Sequence, residues 1–131
     1  MNPVTRRLLD DVDDPALAEL ALAWDALEEL VVQIYRQGGC SSSQAAEFTR
    51  RRRRCRLAVR PWLRHLDPHW RAVRVAGDPA TKNPFEAVLA VDHAEEVCGN
   101  WALMQQLPAA REALNGLLLA RAAAPLVSDG A

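Results

Sequence analysis

Asp92 and Glu96 stand four residues apart, a spacing that brings two carboxylates together on one face of a helix. Glu28 interrupts an apolar stripe in the same manner, falling between Trp24, Leu27 and Val31. Inward carboxylates of this kind support two chemistries. With His93 beside Asp92, the set Glu28, Asp92, Glu96 and His93 matches the ligands with which helical bundles hold Mg²⁺ or Mn²⁺, and such a metal would activate water against a nucleotide-like substrate. With guanidinium groups, the same acids form an internal ion-pair network, because a buried charge without a partner loses several kcal/mol of solvation.

The arginines favour the network. The stretch "FTRRRRRCRLAVRPWLRHL", from Phe48 to Leu66, holds eight of them. At roughly 100° per residue, Phe48, Cys55, Val59, Trp62 and Leu66 make an apolar stripe, and Arg51 and Arg52 fall at its margins, roughly 40–60° from its centre. Helices on either side of the short loop near Gly38-Gly39 should run antiparallel, which puts Glu28 level with Arg51 and Arg52, roughly 14 Å from the loop. The expected internal cluster is therefore Glu28, Arg51, Arg52, Asp92 and Glu96. A metal is the alternative. It is disfavoured by the cations nearby, by the lack of a Glu-x-x-His pair, and by Asp67-Pro68 between His65 and His69. No G-x-S-x-G elbow or glycine-rich phosphate loop occurs, so no catalytic residue and no cofactor is assigned. Cys40, beside Gly39 at a helix start, is the one thiol placed for a lowered pKa.

The other arginines face outward. Arg50, Arg53, Arg60 and Arg64 oppose the apolar stripe, Arg54 and Arg56 flank them, and Arg71 and Arg74 follow. Residues 50–74 hold ten arginines and one acid, a local +9; the remaining residues hold six basic groups against sixteen acids, −10. A formal net charge of −1 thus conceals a strongly polarised chain. This ridge suits an acidic protein surface or, alternatively, a nucleic-acid backbone gripped without base readout. Leu57 lies among the arginines, and the segment 84–106, read as one helix, is apolar on two sides through Val91, Ala94, Cys98 and Trp101. Both features point to a homodimer.

These side chains have to be carried by helices. Asn or Asp followed by Pro, at Asn2-Pro3, Asp14-Pro15, Asp67-Pro68 and Asn83-Pro84, reads as an N-cap with proline at the first helical position. Ser41 with Gln44 forms a capping box, while Gly38-Gly39 and Gly77 end helices and Asp78-Pro79 makes a turn. The expected elements are helices at 3–11, 15–37, 42–66 (kinked at Pro61), 68–76, 84–106 and 108–123, with no strand. This predicts one all-α domain over 1–131, an antiparallel bundle of about four main helices with a short connecting helix. Residues 1–13 form an N-terminal arm and 124–131 a flexible tail. With 131 residues the chain is long enough for a core of its own. There is no signal-like or membrane-spanning run, and three scattered cysteines suit the cytosol.

Overall fold

The computed structural model describes residues 2–72 and 83–123, and these form helices and turns with no strand among them. Helix α1 spans Pro3–Asp10, α2 Pro15–Gln37 and α3 Ser42–Val59. A 3₁₀ turn, Arg60–Trp62, leads into α4, Leu63–Ala72. Helix α5 covers Pro84–Leu89, a second 3₁₀ turn Ala94–Val97, and α6 runs through Trp101–Ala123. The fold is all-α, a bundle in which α2 pairs with α3 across a short loop and α6 packs against α1, α4 and α5.

Most helix starts follow the local code. Asn2 and Asp14 each accept two backbone N–H bonds in front of a proline, at 3.0–3.2 Å. Ser41 and Gln44 close their capping box at 3.0 and 3.1 Å, and Asn83 caps α5 through the Phe85 N–H. Gly38 ends α2 with φ 70°, a conformation that favours glycine. Pro61 does more than kink the expected helix 42–66: α3 stops at Val59 and α4 starts at Leu63, because the proline can neither donate a helical bond nor fit behind the preceding turn.

Two other prolines do not break their helices. Pro68 lies inside α4 and Pro108 inside α6, against the expected starts at 68 and 108. An interior proline costs about 3 kcal/mol. Burial of Leu66 and Trp70 around the first, and of Leu107, Ala110 and Leu114 around the second, offsets this at about 1.5–3 kcal/mol per large apolar side chain. Asp67, free of capping duty, accepts a bond from Trp70 Nε1 at 3.0 Å and pairs with Arg71 at 3.0 Å. The expected helix 84–106 is instead divided. Gly99 takes φ 67°, and Asn100 starts α6 by accepting the Leu103 N–H at 3.0 Å.

The core forms where the apolar stripes meet. Leu17, Leu20, Trp24, Leu27 and Val31 of α2 are buried, as are Phe48, Cys55 and Val59 of α3 with Trp62 and Leu66 beyond. Trp24 meets Phe85 edge to face, ring centroids 4.8 Å apart. Gly116 permits close approach of α4 to α6, since a Cβ there would lie 2.8 Å from Nδ1 of His69. No described helix is long and apolar enough to cross a membrane. Gly77, Asp78-Pro79, Arg74, the end of the expected 68–76 helix and the 124–131 tail lie outside the described residues.

Candidate functional site

The five residues expected to form one internal cluster separate into three settings. Glu28 does turn inward, but its cation is Arg111 of α6. Arg51 bonds Glu47 through Nε at 2.8 Å and the Ala26 carbonyl at 2.7 Å. Arg52 donates to the Leu89 carbonyl at 2.8 Å and to Asp92 at 2.9 Å. Asp92 is 71% exposed. Glu96, also exposed, accepts the backbone N–H groups of Asp92 and His93 at 3.1 and 2.8 Å. Because residues 90–100 hold no α-helix, only the 3₁₀ turn Ala94–Val97, Asp92 and Glu96 never share an α-helical face, and the register that would have stacked them over Glu28 does not exist.

Arg111 is the centre the sequence reading missed. It is 8% exposed, and it donates to Thr5 Oγ1 at 3.0 Å, to Asp25 at 3.1 Å and to Glu28. Thr5, fully buried, donates its hydroxyl hydrogen bond to Asn115 Oδ1 at 2.8 Å, and the Asn2 N–H reaches Asp25 at 3.1 Å. Three helices are therefore tied by one guanidinium. The signal was present in the sequence: Leu107, Arg111, Leu114 and Leu118, at steps of four, three and four, put a cation in an apolar stripe as Glu28 put an anion in another.

Burial raises the pKa of Glu28 above the usual 4.5, outweighing Arg111, and the neighbouring Asp25 charge adds to the rise. In the window just above pH 4.5 the folded chain keeps a proton that the unfolded chain has released. Stability from this group therefore falls as pH rises through that window. Glu19 has the opposite sign. The Arg54 hydrogen bond holds it below 4.5, so its contribution is present above that value and is lost as pH falls through its lowered one. Urea unfolding of Glu28→Gln between pH 4.5 and 7 should show the variant gaining on the wild type as pH rises; a constant difference would contradict the assignment.

No group of three metal-ligating side chains gathers among the described residues. Glu28, Asp92, Glu96 and His93 do not converge: Arg111 takes the first, Arg52 the second, and Glu96 caps the turn at His93. His65 and His69 share α4 after all, but His65 lies beside the Trp62 ring and His69 against Gly116, and no third ligand joins them. The Cys40 thiol is pushed up, not down, by burial and by Glu95 and Cys98 nearby. Cys55 is pushed to about 12 by burial, which leaves it an inert core thiol.

The outward arginines divide into two groups. Arg54 grips Glu19 with two bonds of 2.7 and 2.8 Å, Arg56 donates to the Leu89 carbonyl at 3.0 Å, Arg50 pairs with Glu47, and Arg71 pairs with Asp67 while lying over the Trp70 ring. Arg53, Arg60 and Arg64 are exposed and have no hydrogen-bond or ion-pair partner among the described residues. With Leu57 they follow at steps of four, three and four, the spacing of one helical face, and Leu57 is 63% exposed. Beside Arg60 a hollow of about 340 Å³ opens between Val59, Leu63, Leu89 and Ala90, with Arg56 and Glu86 completing its lining. Arg51, Arg52, Arg54 and Arg56 thus hold α2, Leu89 and Asp92, whereas Arg53, Arg60 and Arg64 hold nothing among the described residues. No protein-family model, curated protein or solved structure matches the chain.

Proposed function

We propose that the chain is a non-enzymatic binding module that docks an acidic protein surface on the outer face of α3 and α4, through Arg53, Arg60 and Arg64 grouped around Leu57. The observation that carries this reading is the set of three unpartnered guanidinium groups flanking an exposed leucine. An arginine fork meets a carboxylate with two parallel bonds, arginine is enriched at interface hot spots, and Leu57 in the same row adds an exposed apolar contact. A phosphate backbone uses the arginines but offers little to Leu57 or to the apolar hollow beside Arg60. That preference sets an acidic protein above nucleic acid as the partner. Arg50, Arg54, Arg56 and Arg71 widen the positive field, although each already has an internal partner.

A second copy of this chain is one source of such a surface, since Asp10, Asp11 and Asp13 are exposed at the turn between α1 and α2. The segment 84–106 is divided and Trp101 is exposed on α6, so it offers no all-round apolar helix to bury in a dimer. Three free cysteines suit a reducing compartment such as the cytosol.

Fluorescence anisotropy tests the proposal with three labelled probes of equal length: an acidic amphipathic peptide, polyglutamate and single-stranded DNA. The amphipathic peptide should bind most tightly, and Leu57→Ser should remove its margin over polyglutamate by about tenfold. DNA binding more tightly than both peptides, and weakening steeply with salt, would transfer the site to nucleic acid.

A further inference from the structure

A second surface lies away from the arginine face. An open groove of about 690 Å³ runs along the second half of α2, between that helix, Asn2 and Arg111 of α6, with Glu29 and Arg36 exposed on its rim. Val32 is the one apolar residue of its described lining; the others are charged or carry amides. Three carboxylates, Asp25, Glu28 and Glu29, stand against two guanidinium groups, Arg36 and Arg111.

Those groups are not all neutralised by one another. Arg111 is engaged by Asp25, Thr5 and one oxygen of Glu28. Glu28 Oε1 and the Glu29 carboxylate accept no hydrogen bond among the described residues, and Arg36 donates none. The unmatched charges are ordered along the groove. Negative charge sits at Glu28 and Glu29, and positive charge at Arg36, seven residues or about 10 Å farther along the helix. Glu28 is only 20% exposed, so a cation at its free oxygen would be screened less than at an ordinary surface carboxylate.

We infer that this groove binds an extended zwitterion, with its ammonium group on Glu28 and Glu29 and its carboxylate on Arg36. A divalent metal does not fit, because it needs several oxygens in a close shell and would face the Arg111 guanidinium. A diamine would place its second positive charge against Arg36, and a dicarboxylate its second negative charge against Glu28. The site is independent of the docking face, so either can fail alone.

Isothermal titration at pH 7 with 6-aminohexanoate, hexylamine and hexanoate tests the inference on the full chain. The zwitterion should bind about tenfold more tightly than either single-charge compound, as the loss of one charge-assisted hydrogen bond implies. Arg36→Gln should reduce it to the level of hexylamine. Glu28→Gln, or Glu29→Gln if the first variant does not fold, should weaken both amines about tenfold. No heat from the zwitterion up to ~10 mM, equal affinities for the three compounds, or variants that bind like the wild type would each overturn it.

Discussion

With Arg111 replaced by alanine, the chain is expected to lose about 3–5 kcal/mol of stability at neutral pH, a large part of what a protein of this size holds. The guanidinium sits 8% exposed between Asp25 and Glu28, and it also donates to buried Thr5. Alanine leaves Glu28 and the Thr5 hydroxyl without the guanidinium donor and takes one donor from Asp25, at side chains only 15–20% exposed for the two acids. Glu28, its pKa already raised by burial and by the Asp25 charge, loses the Arg111 charge that held it down and is pushed further up, so the deficit should shrink as pH falls toward 4. Circular-dichroism melts at pH 7 should show a drop on the order of 10–15 °C. The triple change Arg111→Met, Asp25→Asn, Glu28→Gln should recover most of the loss, since a neutral, space-filling replacement removes the stranded charges. A single Arg111→Ala variant that melts within 2 °C or so of wild type would show that the guanidinium does not hold the three helices together.

The second large effect concerns binding and not folding. Reversing Arg53, Arg60 and Arg64 together to glutamate is expected to weaken an acidic amphipathic peptide at least about a hundredfold, since three attractive pairs become repulsive. Stability should barely change. None of the three has an internal partner among the described residues, and Arg60 and Arg64, four apart, repel each other in the wild type by a few tenths of a kcal/mol. Arg52→Ala supplies the contrast. Arg52 is 16% exposed and ties α3 to the Leu89 carbonyl and to Asp92, so its removal should lower the melting temperature before it lowers affinity. Anisotropy and melting curves on the same preparations separate the two outcomes. Unchanged affinity in the reversed variant would remove the docking face.

Most of the architecture could be read from local chemistry. Asn2-Pro3, Asp14-Pro15, Ser41 with Gln44, and Asn83-Pro84 mark helix starts through side-chain hydrogen bonds that depend only on neighbours in sequence. The stripes through Trp24 and Val31, and through Cys55 and Trp62, identify core faces for the same local reason. Pro68 and Pro108 could not be judged in that way, because the burial that holds their helices together comes from partners far along the chain. The divided segment at 90–100 was marked by Gly99-Asn100, a glycine followed by a capping residue, but its apolar periodicity imitated one continuous helix. That misplacement moved Asp92 and Glu96 inward on paper; the wrong cations for Glu28 came separately, from a register that set it level with Arg51 and Arg52, whose guanidinium groups bond Glu47, the Ala26 and Leu89 carbonyls and Asp92 instead. The principle that a buried acid needs a positive partner was sound; Arg111, set in its own apolar stripe, was the partner.

The arginines between residues 50 and 64 divide into those that hold the bundle together and those, Arg53, Arg60 and Arg64, that have no partner among the described residues. Proton exchange at the arginine Nε–H groups, followed by nitrogen-edited NMR with and without an acidic amphipathic peptide, measures that division residue by residue. Arg51, Arg52 and Arg54, whose Nε–H groups are bonded to Glu47, the Leu89 carbonyl and Glu19, should give persistent signals in the free chain. Arg53, Arg60 and Arg64 should exchange rapidly until the peptide is added and then become protected. Protection of all six in the free chain, or no response of the outer three to the peptide, would contradict it.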